Sequence, residues 1–492
     1  MSHYMNIDGA LRLAEVLRTL GDKAGARAAY EDAIARVEAD RPHTPEDQRA
    51  SFLSKHGAVY RALIDLLWQT DGAAAAERAF ALAEASRART LLDALRASGV
   101  DGAAARPRTP AEIRAALAPG ELLLVFVTAT DATYGFVVSR DALRWTRLAG
   151  AGGVAALTDR VAFFRKQVVE AESDDAVTSA GGALYQDLLA PLVDDAPAGT
   201  LLVIAPDGPL HLLPFDALWR AASHELIAER FDVAMTPSGS LLADPGTAAA
   251  PRAILAIADP PDDAGLGPLP DSAREVDDAL AKLDGDELLL RGRDATEARL
   301  KAASPGAYAI LHFATHATVD DALPLRSALV LGGGGGDDGR LTAAEIYRMQ
   351  LRTGVVVLSA CQSAVGDVAG AEGPMSLARA FLHAGAGSVV ATLWQIEDRG
   401  AARLMDRFYD ELASGDATAR ALGEAKRAMI AAGAPPRSWA AFVATGLPSR
   451  APGVTARARG GFPIRWGLAA ALVIAVAFVG IRLVGIRRAR NR

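Results

Sequence analysis

Ala309-Ile-Leu-His-Phe-Ala-Thr-His316 and Val355-Val-Val-Leu-Ser-Ala-Cys361 are short apolar runs, each ending in a reactive side chain. Runs of this length, rich in Val, Ile and Leu and bounded by turn residues, read as strands buried on both faces. Amphipathic stretches separate them from similar runs. Helical patterns occupy 272–283, 343–349, 375–384 and 399–413, and further short strands fall at 253–258, 287–290, 328–331 and 388–393. Strand and helix in alternation imply a mainly parallel sheet covered on both faces, so the fold class is α/β.

Upstream the pattern continues. Segments 122–128 and 134–139 read as a hairpin, 161–171 and 182–192 as helices, and 201–205 as a short buried strand. Ala205-Pro-Asp-Gly-Pro-Leu-His-Leu-Leu-Pro-Phe-Asp-Ala-Leu-Trp219 reads as a turn-rich loop entering a helix. The run 332–336 is five glycines, followed by Asp337, Asp338 and Gly339, and reads as a flexible loop because it has no side chains to pack.

The first hundred residues are helical in pattern. Ala26-x3-Tyr30-x2-Ala33 recurs as Ala76-x3-Phe80-x2-Ala83, each copy preceded by an amphipathic stretch, 11–20 and 60–68. Both units read as helical hairpins. The spacing resembles tetratricopeptide repeats, whose period is about 34 residues, although here the copies stand 50 apart. An ordinary helical cap is the alternative.

At the other end, 466–486 is apolar except for Arg482. Sixteen uncharged residues fall short of the roughly 20 that span a bilayer, but an Arg near a helix end can snorkel to the interface. The segment is expected to be a single-pass membrane helix, a buried core helix being the alternative. Arginines after it outnumber those before it, which favours the tail inside. The N-terminus turns polar too soon for a signal peptide, so the main body is expected in the cytoplasm.

Composition narrows the partners. Fifty-two Lys and Arg against 59 Asp and Glu give a net charge of −7, without the basic footprint of a nucleic-acid binder. One cysteine in 492 residues excludes an internal disulfide and a thiolate metal cluster. No phosphate loop or cofactor fingerprint is present, because the five glycines lack the Lys-Ser/Thr ending. No cofactor is expected.

Reactive groups in parallel sheets sit on loops beyond the C-terminal strand ends. His316 and Cys361 therefore share an edge, where a neutral imidazole can take the proton of a thiol and release a nucleophilic thiolate. A lone Cys at a strand end is otherwise commonly a buried hydrophobe. His312 and His316 share a face of the strand but stand about 13 Å apart, too far for one metal ion, so His312 is expected to pack or hydrogen-bond within the sheet.

Four segments, Leu311-His-Phe-Ala-Thr-His316, Leu358-Ser-Ala-Cys-Gln-Ser363, Glu372-Gly-Pro-Met-Ser-Leu-Ala-Arg-Ala-Phe-Leu382 and Ser388-Val-Val-Ala-Thr-Leu-Trp394, resemble the CHAT domain family in wording, order and spacing. The resemblance runs from about Arg106 to Leu447. That family is related to caspases and separase and is often joined to tetratricopeptide repeats, which implies a caspase-like sheet. It implies His316 as general base and Cys361 as nucleophile, with the backbone N–H groups of Ala317 and Cys361 as oxyanion donors. The family commonly has Gly where this chain has Ala317. Asp398 resembles an acidic position of separase that faces a basic substrate residue, with helix capping as the alternative. Asp367 and Glu372 are further acids near the Cys loop. His211 falls in the half that usually lacks a catalytic pair and is expected to be structural.

The expected organisation is 1–98 helical, 99–110 linker, 111–248 non-catalytic half, 249–448 catalytic half, 449–465 linker, 466–486 transmembrane helix and 487–492 basic tail. The expected function is a cysteine endopeptidase acting on protein substrates, with a regulatory partner on the N-terminal helices and a membrane tether. The alternative is a non-proteolytic membrane-tethered scaffold.

Overall fold

A computed structural model describes residues 2–44, 52, 55–87, 107–170, 174–243, 252–261, 265–320, 323–359, 377–396 and 398–457. Eleven strands form its main sheet. In chain order these are β1 (Glu121–Thr128), β2 (Thr133–Val138), β3 (Leu143–Arg147), β4 (Leu201–Ala205), β5 (Asp232–Met235) and β6 (Arg252–Ala258). They continue with β7 (Glu287–Arg291), β8 (Tyr308–Ala314), β9 (Val355–Leu358), β10 (Ser388–Thr392) and β11 (Phe442–Gly446). Their spatial order is β7-β6-β8-β9-β10-β11-β5-β4-β1-β2-β3.

Strands β6 to β10 are mutually parallel, whereas β11 is antiparallel to β10 and parallel to β5. Because β5, β4 and β1 follow β11 in direction, their C-terminal ends emerge at the edge opposite those of β8 and β9. The hairpin expected at 122–128 and 134–139 is the antiparallel pair β1–β2. The α/β class with a mainly parallel sheet, helices on both faces and a helical N-terminal region is the observed architecture.

Strand alternation divides the core. Ile310, Ala314, Val355, Val357 and Val390 turn to one face. That face is covered by α5 (Val154–Glu170), α6 (Asp174–Leu184), α7 (Ser272–Lys282), α9 (Asp398–Ala413) and α10 (Thr418–Ala431). Leu311, Phe313, Val356 and Val389 turn to the other, under α8 (Leu377–His383). Lys426 of α10 and Asp216, which follows β4, form a buried ion pair at 2.6 Å.

The N-terminal helices are α1 (Ser2–Thr19), α2 (Lys23–Asp40), α3 (Ala58–Asp71) and α4 (Ala76–Ala85). Ala26, Tyr30 and Ala33 are buried as their spacing requires; in the second copy Ala79, adjacent to Phe80, takes the buried place expected for Ala76, which only begins its helix. These helices share one core with Leu123, Val125, Phe136 and Trp145 of the sheet. Trp68 meets Trp145 edge-on at 4.9 Å, and Phe80 meets Phe136 at 5.8 Å. Glu84 of α4 accepts hydrogen bonds from the Ser238 and Ser240 hydroxyls and the Gly239 and Ser240 amides, and Arg87 donates to the carbonyl of Pro206. Both side chains thus meet the segments that leave β4 and β5.

Helix Pro110–Ala116 opens at the end of the span that reads as a linker, where Thr109 and Glu112 form a capping box around Pro110, and 99–106 lie outside the described residues. One expectation needs correction. The glycine run is a tight turn rather than a free loop. The amides of Leu331 and Gly332 donate to the carbonyls of Gly339 and Ala295, Gly334 and Asp337 exchange backbone bonds, and Glu297 takes the Gly339 amide. Glycine is needed there because the φ angles of Gly334, Gly335 and Gly336 are all positive.

No helix among the described residues is long and apolar enough to cross a membrane. The expected membrane helix at 466–486 lies outside the described residues, as do Cys361, Asp367 and Glu372.

Candidate active site

His316 stands just beyond the end of β8, separated from it by Thr315. Its carbonyl accepts from the Val330 amide at 2.8 Å, which pins the backbone of the ring to a small three-stranded sheet, Ala317–Thr318, Ala328–Val330 and Arg340–Thr342. Its Nε2 lies 2.9 Å from the carbonyl of Gly267. A carbonyl only accepts, so Nε2 carries the proton and Nδ1 holds a free lone pair. In the neutral ring Nδ1 is then the nitrogen left able to accept a proton.

The register of the small sheet has a chemical consequence. His316 and Val330 form a hydrogen-bonded pair, so the next pair, Ala317 with Leu329, is a non-hydrogen-bonded one. The Ala317 N–H is directed away from the ladder. Beside it a cleft of 370 Å³ is lined by His316, Gly267, Pro261, Val330, Asp259 and Arg293 among others. Asp259 ends β6 with a positive φ of 49°, and its side chain and that of Arg293 are exposed.

Strand β9 lies beside β8 in parallel register, with His312 opposite Val357, and the Ser359 amide continues the ladder by donating to Phe313. Ser359 precedes Cys361 by two positions in the chain. β10 runs parallel to β9, so its C-terminal end leaves by the same edge, and α9 begins at Asp398 shortly beyond.

A CHAT domain model matches residues 178–447, more than half of the chain. The chain belongs to the CHAT domain family. The match opens inside α6, so β1 to β3 lie before it although they complete the same sheet. Among curated proteins, this CHAT chain is 29% identical over 322 residues to human Tetratricopeptide repeat protein 28 and 28% identical over 333 residues to the mouse protein. Each alignment covers 54% of this chain and 13% of the relative, so the chain spans about an eighth of their length. Among solved structures it is similar to the Saccharomyces cerevisiae separase-securin complex, with a TM-score of 0.50 and 12% identity over 87% of this chain and 38% of that one. That likeness establishes a separase-like fold for the CHAT chain.

His312 and His211 are not among the residues lining the cleft. His312 is fully buried and bonds not within the sheet but to its helical cover, with Nε2 2.9 Å from Glu275 Oε1 and Nδ1 2.7 Å from the Tyr409 hydroxyl. His211 follows β4 at the opposite edge, and its Nδ1 donates to the Gly208 carbonyl at 3.0 Å. Sequence reading missed Gly267, which acts through its backbone and leaves no side-chain signal. It also missed Glu275, although a Glu aligned with Val276 and Ala279 on the apolar stripe of a helix was a usable cue.

Among the described residues, one group of acids has metal-like spacing: Glu297, Asp337 and Glu345. The Lys301 ammonium already occupies their centre at 2.6, 2.8 and 3.0 Å, so the group reads as an ion-pair cluster bracing the glycine turn.

Proposed function

We propose that the chain is a cysteine endopeptidase of the caspase and separase type, with His316 as general base and Cys361 as nucleophile. The observation that carries this reading is the Gly267 carbonyl on His316 Nε2, which leaves Nδ1 basic beside a cleft at the edge toward which β9 leads. In the proposed reaction Nδ1 takes the Cys361 proton and the thiolate attacks a peptide carbonyl. The oxyanion meets the N–H groups of Ala317 and Cys361. The imidazolium then protonates the leaving amine, and water hydrolyses the thioester. Asp398, with Asp367 and Glu372, supplies the negative charge that selects a basic substrate residue.

The helical layer is proposed to recruit a regulatory protein, and segment 466–486 to tether the chain to a membrane. The complex that separase forms with securin supports regulation by a protein partner. A mixed peptide library, incubated with the wild type and with Cys361→Ala, tests the chemistry: cleavage by the wild type alone supports it, and equal cleavage by both refutes it. Flotation of the full chain with vesicles, lost on removing 466–492, tests the tether.

The alternative is a non-proteolytic scaffold. The continuous core shared by helices and sheet favours it, since a fused layer presents one rigid binding surface. Peptide warheads that fail to label Cys361, with partner capture intact in Cys361→Ala, support the scaffold over the peptidase.

A further inference from the structure

A buried carboxylate links α7 to β8 and to the segment that follows β9. Glu275 of α7 is 3% exposed; its Oε1 accepts from His312 of β8 and its Oε2 from the Ser359 hydroxyl at 3.2 Å. His312 in turn meets the Tyr409 hydroxyl of α9 at 2.7 Å, with the two rings stacked at 5.6 Å. Burial, then the nearby Glu275, raises the Tyr409 pKa well above its ordinary value, so the hydroxyl keeps its proton. The Tyr409 hydroxyl and the Glu275 carboxylate thus hold the two nitrogens of the His312 ring, and each polar atom named has a partner.

The attachments are not random. The strand β8 leads to His316 four residues after His312. The strand β9 leads toward Cys361 two residues after Ser359. Helix α7 follows the loop whose Gly267 carbonyl holds the His316 ring, and α9 opens at Asp398. A buried charge or polar chain is expensive unless fully satisfied, and a satisfied one fixes geometry more sharply than apolar packing does.

We propose that Glu275, His312, Tyr409 and Ser359 form a positioning network that sets the relative placement of the β8 and β9 ends, and with it the alignment of Cys361 with His316. This rests on the peptidase reading above. Glu275 touches no substrate; it acts by preventing β9 from sliding against β8 and α7. Small shifts of this kind change the pairing of thiolate and imidazolium, which alters thiol acidity without unfolding the chain.

The single cysteine makes a direct test possible. Alkylation of the full chain by iodoacetamide, followed by intact mass across pH 5 to 10, reports Cys361 alone. In the wild type the midpoint is expected well below the free-thiol value of about 8.5, and His316→Ala returns it there. Ser359→Ala and Glu275→Gln are each expected to raise the midpoint by about one unit, which slows alkylation by about tenfold at pH values below the wild-type midpoint. Ser359→Thr, which keeps the hydroxyl, restores the wild-type profile, and thermal melting of Ser359→Ala stays within a few degrees of wild type. Midpoints unchanged in both Ser359→Ala and Glu275→Gln overturn the inference, leaving the network as packing. If Glu275→Gln fails to fold, Ser359→Ala decides. A wild-type midpoint near about 8.5 that His316→Ala does not move instead overturns the peptidase reading, and the positioning role with it.

Discussion

His316 Nε2 and the Gly267 carbonyl, 49 residues apart in the chain, meet at 2.9 Å. The contact assigns the proton on the ring and so assigns its basic atom. His316→Gln can keep a bond to Gly267 through its amide but offers no titratable nitrogen. Peptide hydrolysis is expected to fall by at least about 10²-fold, the usual contribution of a general base. Unchanged thermal melting in the same variant shows that the loss is chemical.

The buried pair Lys426–Asp216 ties α10 to the segment after β4, with both side chains almost wholly excluded from solvent. Lys426→Met strands a carboxylate in the core and is expected to lower unfolding free energy by about 3–5 kcal/mol. Adding Asp216→Leu removes the stranded charge and recovers most of that loss. Urea denaturation of the single and double variants gives the comparison.

Glu84 is fully buried and holds four hydrogen bonds from residues 238–240. Glu84→Ala removes the acceptor of the two hydroxyls and of the Gly239 amide, at about 1–3 kcal/mol for each that water cannot reach, while the Ser240 amide keeps its bond to Ser238 Oγ. The expected outcome is a helical layer that loosens first. Hydrogen exchange should rise in α4 and in 238–242 before it rises in β8 or β9.

Burial lowers His211 and His383 to about 4, with Arg379 adding to the effect at His383, and burial also lowers His56. A histidine depressed on folding stays neutral in the folded chain, yet takes up a proton on unfolding below about 6.5. The stability it contributes is complete above that pH and declines as pH falls toward about 4, where the folded ring titrates too. The urea midpoint is expected to fall steadily from pH 7 to pH 4. His211→Gln and His383→Gln should each flatten that slope.

Gly332 lies against Pro261 and Thr296, where an added Cβ would stand 2.9 Å from the proline ring and 3.2 Å from the threonine methyl. Gly332→Val is expected to destabilise by about 1–3 kcal/mol through overpacking. Since Pro261 also lines the cleft beside His316, the variant should lower peptide turnover beyond its effect on melting. Turnover measured well below the melting temperature separates the two effects.

Much of this molecule was legible in order of residues. Apolar runs such as 201–205 and 309–314 match their strands within a residue, because a strand buried on both faces reads as a nearly continuous apolar run. Ala26, Tyr30 and Ala33 announced a close helix contact, because two small residues around an aromatic leave room for a neighbouring backbone. The glycine turn was misread because a sequence of glycines has no side chains to betray the backbone partners that order it.

What local chemistry dictated was therefore the class of fold, the elements and the reactive residues that follow β8 and β9. Periodicity and residue type act within a few positions, and such features need no partner elsewhere. Long-range packing supplied the rest: the reversal at β11 that sends His211 to the far edge, the Gly267 carbonyl that selects the His316 tautomer, and the union of Glu275, His312, Tyr409 and Ser359. Those relations join atoms tens of residues apart, and nothing in either local segment encodes its partner until the sheet has closed between them.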